Sequence, residues 1–327
     1  MRLRPLILAA LCLATALAGC RSRPAPTPVA EGSGTERPTF EGSLGDFVVT
    51  RPTAWVRIDA AAIRDDERLR DFWPAGEHDD PIEQAAAEAD EVLLVWPDLD
   101  LSNELRIVRA PMDRDAVLDT LRSGENFAGR PFRPSSIGSR MLWRPADSDQ
   151  AISLPWSNVI VTGPWEPVEL AISREASRTS GPWRDRRFAG HFEAGFHVDP
   201  LHAEFAHELI SNAEFVEAVR QIESVVVAAR LGESIDVRVV FEVRRGANLQ
   251  RLSAIVRVAL ALAITELGVP ELAGLWDVEV LTDGDPAIAV IGAIPDALVA
   301  PLAEQLLAPD QRTGIPDDWL SPATDDR

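Results

Sequence analysis

The chain has 327 residues, 46% apolar and 26% charged, enough for two domains or one duplicated domain. Acidic residues outnumber basic ones by 52 to 32, for a net charge of −20, and this argues against a nucleic-acid partner because phosphate neutralisation needs a basic face. Every basic residue is Arg, there is no Tyr, and Cys occurs only at Cys12 and Cys20, so lysine Schiff-base chemistry and the P-loop lysine are excluded.

In chain order, Arg2 and Arg4 form a short positive segment. Pro5–Ala18 is an apolar run too short and too punctuated to span a bilayer, so residues 1–19 read as a signal peptide. The run ends Leu17-Ala18-Gly19-Cys20. These four residues resemble the lipobox of bacterial lipoproteins. The resemblance implies cleavage before Cys20, with diacylglycerol and an acyl chain on that residue as the only covalent group. It implies a membrane partner through the lipid. Arg21, where an Asp would retain such a protein at the inner membrane, implies the outer membrane, facing the periplasm or the cell surface. The resemblance says nothing about the body. Loss of Arg2 and Arg4 with no acid takes the net charge from −20 down by two, to −22, and leaves no thiol beyond the acylated one.

Residues 20–46 read as the lipidated Cys and a flexible tether, since Arg21–Asp46 carries Pro24, Pro26, Pro28 and Pro38 among Ser, Thr, Gly and Glu without an apolar period. Beyond it no segment has the ~20 apolar residues of a spanning helix. Ala254–Thr265 comes nearest and is interrupted by Arg257.

The body reads as duplicated. Ser234–Val243 alternates as a strand, and Gly232-Glu233 before it signals a hairpin with Ser224–Leu231. Leu249, Leu252, Val256, Leu260, Ile264 and Leu267 then recur at helical spacing over Asn248–Leu267. Trp276–Leu281 and Ala287–Ile291 follow as strands, and Pro295 opens a helix that Pro309 stops. Earlier, Val92–Trp96 and Glu104–Ala110 form a similar hairpin, and Val159–Pro164 leads into a helix. Glu104–Val108 matches Asp236–Val240 in residue type at an offset of 132 (236 − 104), and Gly163 matches Gly292 at 129 (292 − 163). The expectation is an α+β fold: two related halves of antiparallel strands interleaved with helices on one face, over 47–180 and 181–309, with a tail over 310–327. No G-x-G-x-x-G follows a strand.

Four of the five His lie close together, as His191, His197, His202 and His207. His197 and Asp199 share a strand face, and Glu204 and His207 lie one helical turn apart. These four are the candidate ligands for Zn or Mn, set against a plain solvated polar face. His191 is excluded from sharing their ion, because six strand residues span about 20 Å. Trp143, Trp156, Trp165 and Trp183 fall in Pro/Gly/Ser-rich segments that read as turns, as exposed stacking groups or as plugs beneath loops. Arg174, Arg178, Arg184, Arg186 and Arg187 read as the only basic cluster. Arg178, Arg184, Arg186 and Arg187 are the candidate anion contacts, against simple charge balance at a junction. No catalytic residue is marked: G-x-S-x-G and H-E-x-x-H are absent, and the acidic pairs Asp65-Asp66, Asp79-Asp80 and Asp317-Asp318 read as solvated.

The functional expectation is a lipid-anchored cell-envelope protein without enzymatic activity, binding another envelope protein or lipid. Two alternatives stay open. One is a periplasmic carrier of lipid or another apolar ligand, with Asn248–Leu267 lining its cavity. The other is a metal-dependent hydrolase using His197, Asp199, Glu204 and His207.

Overall fold

The computed structural model describes residues 39–48, 51–70, 73, 81–98, 103–123, 132–137, 140–145, 148–177, 190–198, 213–267, 269–282, 285–299 and 302. They fall into two compact units that divide between His191 and Phe192.

The first unit runs from a 3-10 turn, Leu44–Phe47, through β1 (Ala54–Asp59), α1 (Ala60–Asp65), α2 (Pro81–Ala87), β2 (Glu91–Trp96) and β3 (Leu105–Arg109). It continues through α3 (Arg114–Ser123), β4 (Arg133–Ile137), β5 (Arg140–Arg144), β6 (Gln150–Trp156), β7 (Val159–Pro164) and α4 (Trp165–Ser177). Its seven strands lie in the order β1-β2-β3-β7-β6-β5-β4, each antiparallel to its neighbours. β2 explains why this sheet is the core. Its sequence Glu-Val-Leu-Leu-Val-Trp is buried at every position, so both faces of the strand are covered. Leu93 pairs with Ile107 and Ile107 with Val161, and all three are fully enclosed.

The second unit contains β8 (Phe192–His197), α5 (Ala213–Gln221), β9 (Ile222–Leu231), β10 (Ser234–Val243), α6 (Leu249–Leu267), a 3-10 turn (Pro270–Gly274), β11 (Trp276–Leu281) and β12 (Ala287–Pro295). Its strand order is β11-β12-β10-β9-β8, again antiparallel. Asn248 caps α6 by accepting from the Arg251 amide at 3.1 Å, one of the helix-end donors left without an intrahelical partner. Leu252 and Val256 of α6 pack with Val243, Val278, Ile288 and Val290 of the sheet.

The expected α+β architecture is corrected by these units. Antiparallel sheet dominates the described residues, and the helices are additions to it. The error has a local cause. The Pro/Gly/Ser-rich segments around Trp143 and Trp156 read as turns, yet residues 133–156 contain the whole of β4, β5 and β6. Pro134 sits on the outermost strand, where proline is tolerated. Pro155 sits where the β6–β7 register shifts between Ser153 and Trp156. Trp143 and Trp156 are therefore strand residues, and Trp165 opens α4. Pro295 ends β12, and residues 296–299 after it are helical.

Without the β4–β5 hairpin the first unit reads β1-β2-β3-β7-β6, and the second reads β8-β9-β10-β12-β11. The registers agree as well as the order. Leu94–Arg106–Thr162 in the first unit corresponds to Ala228–Arg238–Ile291 in the second. Arg238 follows Arg106 by 132 positions (238 − 106) and Ile291 follows Thr162 by 129 (291 − 162).

Gly163, next to last in β7, has φ +149°, and a Cβ there would come within 2.5 Å of the Glu104 carbonyl oxygen. Backbone cannot retreat as a side chain can. Gly163→Ala is expected to cost about 2 kcal/mol in urea unfolding, from strain and overpacking together. Gly246→Ala, at φ +90° with open space around it, is expected to cost only about 1 kcal/mol. Equal costs at the two sites would show that the β3–β7 approach is looser than described.

Candidate functional site

Charge inside the first unit is concentrated on the β1-β2-β3 ladder. Glu91 opens β2 opposite Asp59 of β1 and Arg109 of β3. Arg57, two residues from Asp59 on the same strand face, reaches Glu91 with Nε to Oε1 at 2.8 Å. Arg109 Nη1 lies 3.2 Å from the other oxygen, Oε2. Asp59 completes the group, 4.0 Å from Arg57. The side chains of Arg57, Glu91 and Arg109 retain only 14%, 11% and 22% of their exposure, so the charges depend on one another rather than on water.

Both arginines also hold backbone. Arg57 donates to the Gly190 carbonyl at 2.6 Å, and the Asp59 amide donates to the His191 carbonyl at 2.6 Å. Arg109 donates to the Gly42 carbonyl and stacks over the Phe40 ring at 5.7 Å. Phe40 is held further by Asn158. Its amide donates to Asn158 Oδ1 at 2.8 Å, and its carbonyl accepts from Nδ2 at 3.1 Å. Phe40 packs on Phe47 at 5.1 Å and on Trp156 at 5.7 Å. The segment that enters this unit and the segment that leaves it are thus both tied to Glu91.

A second feature is a series of Arg–indole contacts around the β4–β5 hairpin. Arg140 lies 4.8 Å over Trp156, Arg144 4.4 Å over Trp165, and Arg122 of α3 5.7 Å over Trp143. Arg133 of β4 stands directly opposite Arg144 of β5, and both are exposed. Elsewhere, Asp66 at the end of α1 accepts from Arg68, and this hydrogen bond holds its carboxyl below the usual carboxylate value.

The structure places few of the sequence candidates. Cys20, Asp199, Glu204, His207, Arg178, Arg184, Arg186 and Arg187 lie outside the described residues, as do His202 and Trp183. His197 ends β8, paired with Ser224 of β9, and His191 precedes that strand. Among the described residues no three His, Cys, Asp or Glu side chains gather as a metal site. A small cleft of about 240 Å³ opens between α2 and α3, lined by Pro81, Gln84, Glu88, Pro111, Met112 and Asp113 among others, with no residue from α6. α6 buries Leu252, Val256 and Ile264 and leaves Val258 and Leu262 exposed. No described helix is long and apolar enough to cross a membrane.

Sequence reasoning missed the Glu91 cluster, because its members are scattered and only strand pairing unites them. The hairpin arginines were legible. Residues 130–144 contain Arg130, Arg133, Arg140 and Arg144 and no acid, so the cluster at 174–187 is not the only basic one.

No known family profile matches the chain, and no curated protein matches it. Among solved structures, the one described as crystal form I of TP0453 is similar over 81% of this chain and 98% of its own, at 9% identity and a TM-score of 0.44. A likeness at that score carries no argument about fold or function.

Replacing Glu91 by Ala strands two arginines in a largely enclosed site. The expected loss is about 3–5 kcal/mol in chemical denaturation. A loss below about 1 kcal/mol, the range of surface pairs, would show that the cluster is solvated.

Proposed function

We propose that this chain is a lipid-anchored protein of the cell envelope whose body binds or supports other envelope components without catalysing a reaction. The observation that carries the reading is the apolar run Pro5–Ala18 leading into Leu17-Ala18-Gly19-Cys20. The Pro-rich stretch after Cys20 supports it, because such a stretch holds a folded body off a membrane surface. Diacylglycerol and an acyl chain on Cys20 supply the affinity, at ~0.8 kcal/mol for each buried methylene, and several chains together anchor stably. Arg21 after the Cys favours the outer membrane, facing the periplasm or the surface. The body's acidic balance turns away nucleic acid and suits a solvated protein that its lipid holds in place.

The test is metabolic labelling with radioactive palmitate in a bacterial host, followed by fractionation. The wild-type chain is expected to carry label and to sediment with outer membranes. Cys20→Ala is expected to lose the label entirely and to keep its signal segment uncleaved. Label retained in Cys20→Ala, or an unlabelled wild-type chain, would overturn the reading.

A further inference from the structure

We propose that the exposed end of the β4–β5 hairpin, where Arg133 and Arg144 pair, is a contact surface for the phosphates of anionic phospholipid headgroups in the anchoring membrane. The inference deepens the lipid-anchored reading and rests on it.

Four observations lead here. First, Arg133 and Arg144 are Cα partners across an antiparallel pair, and like charges directly opposite each other destabilise a sheet. Neither makes an ion pair among the described residues, although Asp149 and Glu166 lie near Trp165 in sequence. An external anion resolves the repulsion. Second, the charge is local. Residues 130–144 hold four Arg and no acid in a chain of net charge −20, so this stretch differs in sign from the chain as a whole. Third, the arginines are backed by indoles, Arg144 over Trp165 and Arg140 over Trp156. Indole beside a cationic head is the pairing that settles at headgroup level, with one end apolar and the other wet.

Fourth, the root of the tether adjoins the hairpin. Phe40, held by Asn158 and Arg109, packs on Trp156, and Arg140 of β5 stacks on that same indole. Arg21–Thr39 is all the chain between Cys20 and that point. A lipid on Cys20 therefore tethers the membrane to this side of the first unit through a segment that reaches at most about 65 Å. The hairpin is also what the first unit adds to the five-strand order it shares with the second. Additions to a repeated plan are common places for a binding face. Arg140 itself donates to the Pro155 carbonyl and serves as a positioning residue, leaving Arg133 and Arg144 as the headgroup contacts.

The experiment uses the acylated chain. It is reconstituted into vesicles of phosphatidylcholine alone or with a quarter phosphatidylglycerol, checked by flotation, and followed by hydrogen exchange with mass spectrometry. The expected result is flotation with both vesicles, and exchange over residues 132–145 at least about five-fold slower with phosphatidylglycerol. Arg133→Gln/Arg144→Gln is expected to float equally and to lose that protection. Arg133→Gln alone, on an exposed edge strand, loses part of it and guards against misfolding of the double variant. Arg245→Gln, whose side chain is exposed in the second unit, is expected to change nothing. Protection equal in the two vesicles, or unchanged in the hairpin variants, overturns the proposal while anchoring stands. Protection removed by added inorganic phosphate, but not by sodium chloride of equal ionic strength, assigns the arginines to a free anion and overturns the lipid source. Flotation with phosphatidylglycerol vesicles only leaves headgroup contact standing and overturns the anchoring. Flotation with neither overturns both.

Discussion

Glu91 is the residue on which the first unit turns. Its two carboxylate oxygens are divided between Arg57 on one neighbouring strand and Arg109 on the other. Those arginines carry the tie outward, to Gly190 near the end of the unit and to Gly42 near its beginning. A one-residue slip moves every side chain of a strand to the opposite face, and in a strand buried on both faces it is the placed charge, more than the apolar pattern, that opposes such a slip. β2 is buried throughout, and Glu91 places the only carboxylate of that strand where two cations need it. The charges are enclosed enough that each depends on the others.

From that fixed centre the rest of the unit is built by antiparallel addition. β3 pairs β7, β7 pairs β6, and the sheet then runs on into the β4–β5 hairpin. Towards that edge, burial falls and arginines appear in the exposed positions. An edge strand with unpaired backbone invites association with another chain, and a Pro and an Arg on β4 discourage it. The arrangement that protects the edge also gathers positive charge in an acidic protein. The second unit has the same strand order without the hairpin, and its exposed features are of another kind, such as Val258 and Leu262 on α6.

Much of the local structure was legible. The alternation of Ser234–Val243, the apolar spacing of Leu249–Leu267 and the Gly232-Glu233 turn each matched one element, because each carries a periodicity of its own. The balance of sheet over helix was not legible, because Pro134 and Pro155 disguised strands as turns. The site was legible in part. Four arginines without an acid can be counted in a sequence. Arg57, Glu91 and Arg109 cannot be grouped before strand pairing is known, since each alone reads as an ordinary charge on a strand. The metal candidates Asp199, Glu204 and His207 lie outside the described residues, and His197 alone is placed.

Glu91 joins the entry and the exit of the first unit. Native-state hydrogen exchange on Glu91→Gln, which keeps the side-chain shape and removes the charge, tests it most directly. The Phe40 amide, bonded to Asn158, and the Asp59 amide, bonded to His191, are expected to lose protection together, while the β10 amides of the second unit keep theirs. Unchanged protection at Phe40 and Asp59, or an equal loss spread over both units, would contradict it.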